Sequence, residues 1–198
     1  LRGGAAAESA EEPPLSAVQR GLWAAAQLPG AEATYNVAWV LRLHGAVEFD
    51  ALGAAVADVA ARHDILRTAY PRVAGEPRQR VLDTPQARDP LRVVRTGAAE
   101  TDRLVAEAAR RPFDLEAEPA YRPVLFAADS GECVLLNLFH HIAVDEWSQE
   151  PFLRDLDTAY RARCAGSAPD WAPLPVSYAD YALWQRDLLA DPQAEGSR

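Results

Sequence analysis

The stretch Cys133-Val134-Leu135-Leu136-Asn137-Leu138-Phe139-His140-His141-Ile142-Ala143-Val144-Asp145-Glu146-Trp147-Ser148 decides how the rest of this chain is read. Up to Phe139 it is almost wholly apolar, the mark of a central strand buried on both faces. Upstream, Tyr121 to Ala128 forms a second apolar run, and the turn-forming Asp129-Ser130-Gly131 between the two predicts an antiparallel hairpin. Downstream, Ser148 to Arg163 has helical spacing, with Phe152, Leu153, Leu156, Ala159 and Tyr160 on one face and Arg154, Asp155 and Asp157 on the other. His140 and His141 therefore fall where a buried strand ends, and strand ends facing a crevice are where sites form. Neighbouring strand residues point to opposite faces, so one histidine is expected to face the core and the other a cleft.

Working outward, Ser16 is placed to cap a short helix carrying Val18, Leu22 and Trp23, which ends before Pro29-Gly30. Apolar alternation from Thr34 to Leu43 predicts a strand with one buried face. Asp50 is the expected cap of a second helix, on which Leu52, Val56 and Val59 share a face, running to Arg62 or His63. Further strands fit Ile65 to Val73, Arg78 to Leu82 and Leu91 to Arg95. A helix fits Thr101 to Arg110, stopped by Pro112, and a last one covers Tyr178 to Leu189. This mixed order of strands and helices implies an α/β or α+β fold, and no internal repeat is visible.

Residues 1 to 14, rich in Ala, Glu, Gly and Pro and without an apolar period, read as an interdomain linker, so the fold is expected to start near Leu15. The chain has 198 residues, 49% of them apolar, enough to bury one core. No stretch approaches the roughly 20 apolar residues needed to span a bilayer, and a cytoplasmic protein without a membrane partner is expected. The net charge of -9, without a Lys/Arg cluster, argues against nucleic acid as a partner. The two cysteines, Cys133 and Cys164, lack zinc or disulfide spacing and read as buried small apolar residues. No methionine is present, and a fragment of something longer is the expectation.

Taken bare, a histidine pair is more often structural than chemical, because buried polar groups generally find partners. A metal site needs at least three ligands, and His140, His141 and Asp145 lack the i,i+4 histidine spacing of zinc helices. A Ser-His-Asp hydrolase would need a G-x-S-x-G elbow, which is absent.

Four separated segments change that weighting. Residues 15 to 23, LSAVQRGLW, resemble the opening LSxAQxxLW of condensation domains from nonribosomal peptide synthetases, and residues 62 to 70, RHDILRTAY, resemble RHExLRTxF. Residues 140 to 148, HHIAVDEWS, resemble HHxxxDGWS, and 178 to 186, YADYALWQR, resemble YxDYAxWQR. Arg111-Pro112-Phe113-Asp114-Leu115, followed by Pro119 and Arg122, also looks like a family segment, so the resemblance spans about residues 14 to 189. It implies the N-terminal lobe of such a domain over residues 15 to 190, with a chloramphenicol-acetyltransferase-like mixed sheet flanked by helices. Residues 191 to 198 would begin the connection to a C-terminal lobe not included here.

The family's activity is acyl transfer: the amine of an acceptor attacks the thioester of a donor, making a peptide bond. No cofactor is bound directly, because both substrates arrive on the phosphopantetheine arms of carrier proteins. The implied partners are upstream donor and downstream acceptor peptidyl carrier proteins, the C-terminal lobe and an adjacent adenylation domain. Residues 34 to 45 look like those of L-donor domains. By carry-over, His141 meets the acceptor amine as general base or positioning group, and an imidazole suits either task. His140 is expected to face inward, and Asp145 to hold the loop by pairing with Arg62 or, second, Arg67. Trp147 and Ser148 are expected to seat and cap the following helix. Glu146 departs from the family pattern, which has glycine there, and so adds bulk and a charge near His141. An isolated lobe would turn over little, an inactive recruitment module is the first alternative, and an epimerising relative is another.

Overall fold

The computed structural model describes residues 12–31, 33–88 and 90–190. In chain order the elements are α1 (Ala17–Ala26), β1 (Asn36–Leu43), α2 (Phe49–Arg62), the short strands β2 (Thr68–Ala69), β3 (Arg72–Val73), β4 (Glu76–Pro77) and β5 (Arg80–Val81), the single turn α3 (Pro85–Arg88), β6 (Arg92–Thr96), α4 (Thr101–Ala109), β7 (Tyr121–Ala128), β8 (Cys133–His140), α5 (Gln149–Cys164) and α6 (Tyr178–Ala190). The main sheet has the order β1-β8-β7-β6. Strand β8 runs antiparallel to β1 and β7, whereas β6 joins β7 in parallel. That makes the sheet mixed, as expected, and the segment carrying α4 connects the parallel pair.

All eight residues of β8 are buried. Alternation divides them: Cys133, Leu135 and Phe139 join the core under α1, α2 and α5, while Val134, Leu136 and Leu138 join a second cluster with Val105 of α4. Burying each Leu or Phe contributes about 2–3 kcal/mol, so β8 is the strand both layers are built on. At the site end of the sheet, the Phe139 ring packs 4.6 Å from Trp39, 4.7 Å from Tyr121 and 5.2 Å from Phe152, which ties α5 to the sheet just beneath the histidines. The β7–β8 turn has Gly131 at φ 88°, a conformation that favours glycine.

Several boundaries differ from the sequence expectation. Ile65 to Val73 is not one strand: residues Asp64–Arg67 form a 3-10 turn, and Pro71, lacking an N–H for a ladder, separates β2 from β3. The segment then folds into two short ladders, β3 with β4 and β2 with β5. Helix α2 begins two residues earlier than expected, with Glu48 at the cap position making no capping side-chain bond and Asp50 inside the first turn, where its charge favours the helix N-terminus. The bonded chain also begins before Leu15. Pro13 O accepts Gln79 N–H at 2.8 Å, Pro14 O accepts Gln79 Nε2 at 2.7 Å, and Glu12 pairs with Arg80. Residues 1–11 of the expected linker and 191–198 of the expected connection lie outside the described residues. Cys133 is buried, but Cys164, in the last turn of α5, is exposed. No described helix is long and apolar enough to cross a membrane.

Candidate active site

The end of β8 separates the two histidines. His140 is the last ladder residue, paired with Asn36 of β1, and is 1% exposed. Its Nδ1 accepts the Ile142 N–H at 3.1 Å, so neutral His140 carries its proton on Nε2. Burial, and then the nearby charge of His141, lower its pKa to about 4, which keeps it neutral at physiological pH. The chain turns immediately, with His140 O accepting Ala143 N–H at 3.0 Å. His141 lies outside the ladder and is exposed, its N–H donating to Tyr35 O at 2.8 Å. Its Nδ1 is 2.6 Å from Val144 O. A carbonyl only accepts, so Nδ1 holds the proton and Nε2 is the lone-pair nitrogen of the neutral ring.

Asp145 does not pair with either expected arginine. Its Oδ1 accepts the Ser148 N–H at 3.0 Å and the Ser148 hydroxyl at 2.6 Å, and Ser148 Oγ accepts the Asp145 N–H at 3.1 Å. This reciprocal box closes the 3-10 turn Glu146–Ser148, which runs straight into α5. Asp145 is thus the cap, and Ser148 its partner rather than the cap of α5. A short acidic side chain beside a free N–H three residues on satisfies itself locally, which spacing to distant arginines does not reveal.

Arg62 instead donates from Nε to Asp155 Oδ2 at 2.9 Å and from Nη1 to Ala172 O at 2.7 Å, with its guanidinium 4.8 Å from the centre of the Trp171 ring. His63 Nε2 reaches the same Asp155 oxygen at 2.8 Å. Asp155, assigned from its helical position to the solvent face, is buried between them. Arg67 binds Ala60 O at 2.9 Å, Leu82 O at 3.0 Å and Asp64 at 2.6 Å. Arg62 thus pins the end of α2 to α5, and Arg67 joins it to the residue that follows β5.

Trp147 does not seat α5 either, being 86% exposed. Glu146 is exposed in ordinary backbone: among the described residues Ala74 is the sole non-glycine with positive φ, so the turn here does not require glycine. Among the described residues no group of three or more His, Cys, Asp or Glu side chains is placed to hold a metal ion.

Two further side chains support the loop without having been singled out for a task. Asn36 donates to Ala109 O at 2.9 Å and Arg111 O at 3.0 Å. Arg122 binds Arg111 O, Pro112 O and Glu118 and lies 4.2 Å over Phe113. Together they hold Phe113 edge-on to the His140 ring, 6.2 Å between centroids. Gln19, buried in α1, reaches the loop itself through Ile142 O at 3.4 Å. The Ser-x-x-Gln spacing at Ser16 announces a capping box, and nothing in that spacing announces the second contact.

The family model for the condensation domain matches residues 9–198. The isonitrile lipopeptide synthase of Mycobacterium tuberculosis is 50% identical over 90% of this chain, and the dimodular nonribosomal peptide synthase of Bacillus subtilis is 48% identical over 93%. The chain spans 7% and 8% of those two proteins. Among solved structures, the X-domain from teicoplanin biosynthesis superposes with a TM-score of 0.83 at 38% identity, covering 98% of this chain and 41% of that one. The starter condensation domain of rhizomide synthetase shares the fold, with a TM-score of 0.79 at 22% identity. The expected chloramphenicol-acetyltransferase-like architecture is the one these neighbours have. The chain belongs to the condensation-domain family of nonribosomal peptide synthetases.

Proposed function

We propose that this chain supplies the His141 half of a peptide-bond-forming site, completed by a second lobe, in a synthetase working in the cytoplasm. The donor is an L-configured aminoacyl or peptidyl thioester, the acceptor an aminoacyl thioester, and each is held on the phosphopantetheine arm of a carrier protein. The acceptor nitrogen attacks the donor carbonyl, the C–N bond forms, the C–S bond breaks, and the thiol of the donor arm leaves. His141 Nε2 accepts the proton that nitrogen sheds and returns it to the departing sulfur, or orients the amine through the same contact.

The observation that carries this reading is the split between the two histidines. His141 is exposed, with its Nδ1 proton spoken for by Val144 O, so the neutral ring offers an acceptor at Nε2. His140 is buried and held neutral. Metal chemistry plays no part in the scheme, and no cofactor is bound by the lobe itself. The adenylation domain next in the assembly would load the acceptor carrier. The chain matches 41% of the X-domain on which it superposes, so under this reading the second lobe completes the enclosure that orients both arms, and little turnover is expected from these 198 residues alone.

The test is to express the complete two-lobe domain with loaded donor and acceptor carriers and to look for the dipeptidyl thioester by mass spectrometry, with His141→Ala as control. Product from wild type and none from the variant is the expected result, and no product from wild type sinks the catalytic reading. A second reading has a specific observation behind it. The X-domain, at 38% identity, was solved in complex with OxyB, so a relative of this similarity binds a separate protein. Under that reading the lobe recruits a tailoring enzyme, and wild type gives no dipeptide while still binding such a partner.

A further inference from the structure

The geometry points to Gln19 as a positioning residue for His141, acting through the Ile142 carbonyl. Gln19 is 1% exposed, and its carboxamide makes three contacts in different directions. Oε1 accepts the Ser16 N–H at 3.1 Å, and Nε2 reaches Tyr70 Oη at 3.3 Å and Ile142 O at 3.4 Å. The orientation of the amide is dictated by its neighbours, since the Ser16 N–H can only donate and the Ile142 carbonyl can only accept.

The Ser16 contact belongs to α1 alone. Together with the Gln19 N–H to Ser16 Oγ bond at 3.2 Å it forms a capping box. The Ile142 contact crosses 123 residues of sequence to the histidine loop and has no bearing on capping. Both backbone groups of Ile142 are therefore held by side chains, its N–H by His140 Nδ1 and its carbonyl by Gln19. Ile142 lies between His141 and Val144, whose carbonyl fixes the His141 ring. Rotation of the Ile142–Ala143 peptide moves that carbonyl relative to Nδ1. Pinning Ile142 from both sides keeps the Nδ1 proton on Val144 O and the Nε2 lone pair presented. Tyr70, fully buried, backs the carboxamide, and Ser16 Oγ lies 3.0 Å from Tyr178 Oη at the start of α6, so the clamp sits where α1, α6 and the loop meet.

This assignment rests on the reading of His141 as the residue that meets the acceptor amine, and it is tested by a measurement that needs no turnover. The full-length domain is labelled with 15N-histidine, and the His141 ring nitrogens are followed by NMR at about pH 9 in wild type, Gln19→Glu, Gln19→Met and Ser16→Ala. Gln19→Glu keeps an acceptor for the Ser16 N–H, so the cap survives, but turns a lone pair toward Ile142 O when ionised. Gln19→Met removes the donor at similar volume. Expected is a single Nδ1–H tautomer in wild type and Ser16→Ala, and a shift toward mixed tautomers in both Gln19 variants, with the unfolding midpoint of Gln19→Met, which buries no charge, nearer that of wild type than the midpoint of Gln19→Glu. In an active domain kcat falls about tenfold in Gln19→Glu while KM stays within about twofold, the pattern of a misplaced catalytic group. An unchanged His141 spectrum in both Gln19 variants overturns the assignment, as does an equal shift in Ser16→Ala, which would make the cap and not the carboxamide responsible. A domain that forms no dipeptide leaves the spectral comparison intact, so the two ideas fail separately.

Discussion

Acid should destabilise this lobe through His140, and the size of the effect follows from its burial. In the folded chain the His140 pKa is lowered to about 4, against 6.5 for a free imidazole. The unfolded chain therefore takes up the proton first as pH falls. Stability is fully present above about pH 6.5, declines by about 1.4 kcal/mol per pH unit below it, and levels off once the folded form also protonates near pH 4. Integrated across that window the loss is about 3 kcal/mol, a large share of the roughly 5–15 kcal/mol that holds a domain folded. His140→Asn removes the titration and keeps an acceptor near the position of Nδ1 for the Ile142 N–H. The variant leaves unfilled volume beside Phe113 and Tyr35, so at about pH 7.5 it is less stable than wild type by about 1–3 kcal/mol. Urea unfolding followed by tryptophan fluorescence, repeated down to about pH 4.5, gives the difference between the two proteins, in which carboxylates common to both cancel. That difference should close by about 2–3 kcal/mol toward wild type losing its advantage. Parallel stability curves across the window would refute the argument, because they would mean His140 takes up its proton in the fold as readily as out of it.

Asp155→Ala leaves Arg62 and His63 without their shared carboxylate and should cost about 3 kcal/mol in urea unfolding, reduced if Arg62 is also replaced; independent, additive costs would show that the three do not act together. Asp145→Ala opens the box with Ser148 and should cost about 1 kcal/mol, the usual worth of a cap, with Asp145→Ser recovering most of it in thermal unfolding. Trp147→Ala, by contrast, should move the unfolding midpoint by no more than about 0.5 kcal/mol, because the ring is 86% exposed; a larger loss would mean it packs in a way this fold does not contain.

Local pattern carried a large part of the outcome. The apolar run into Phe139, the Asp129-Ser130-Gly131 turn and the helical period after Ser148 specify β7, β8 and α5, because strand and helix periods are properties of neighbouring residues. The same local logic expected one histidine inward and one outward, and the structure keeps that split, although His141 owes its exposure to the turn that begins after His140 and not to strand alternation, both faces of β8 being buried. It failed where a contact joins distant segments. Arg62 could meet any of several acids, and it met Asp155 because α2 packs on α5, an arrangement no spacing within either helix encodes. Asp145 stayed local for the opposite reason: Ser148 was already within reach.

What the sequence determined by itself is therefore the long strands and helices of the two layers, the position of the histidine pair at the end of β8, and the family to which the motifs point. What only the tertiary structure decided is which groups hold that loop: Tyr35 O from the turn before β1, the Gln19 carboxamide from α1, and Phe113 from the segment before β7. These contacts depend on the packing of the sheet against helices far apart in the chain. A hydrogen bond is directional over a few ångströms, so sequence can name its donors and acceptors, and the fold alone brings them into line.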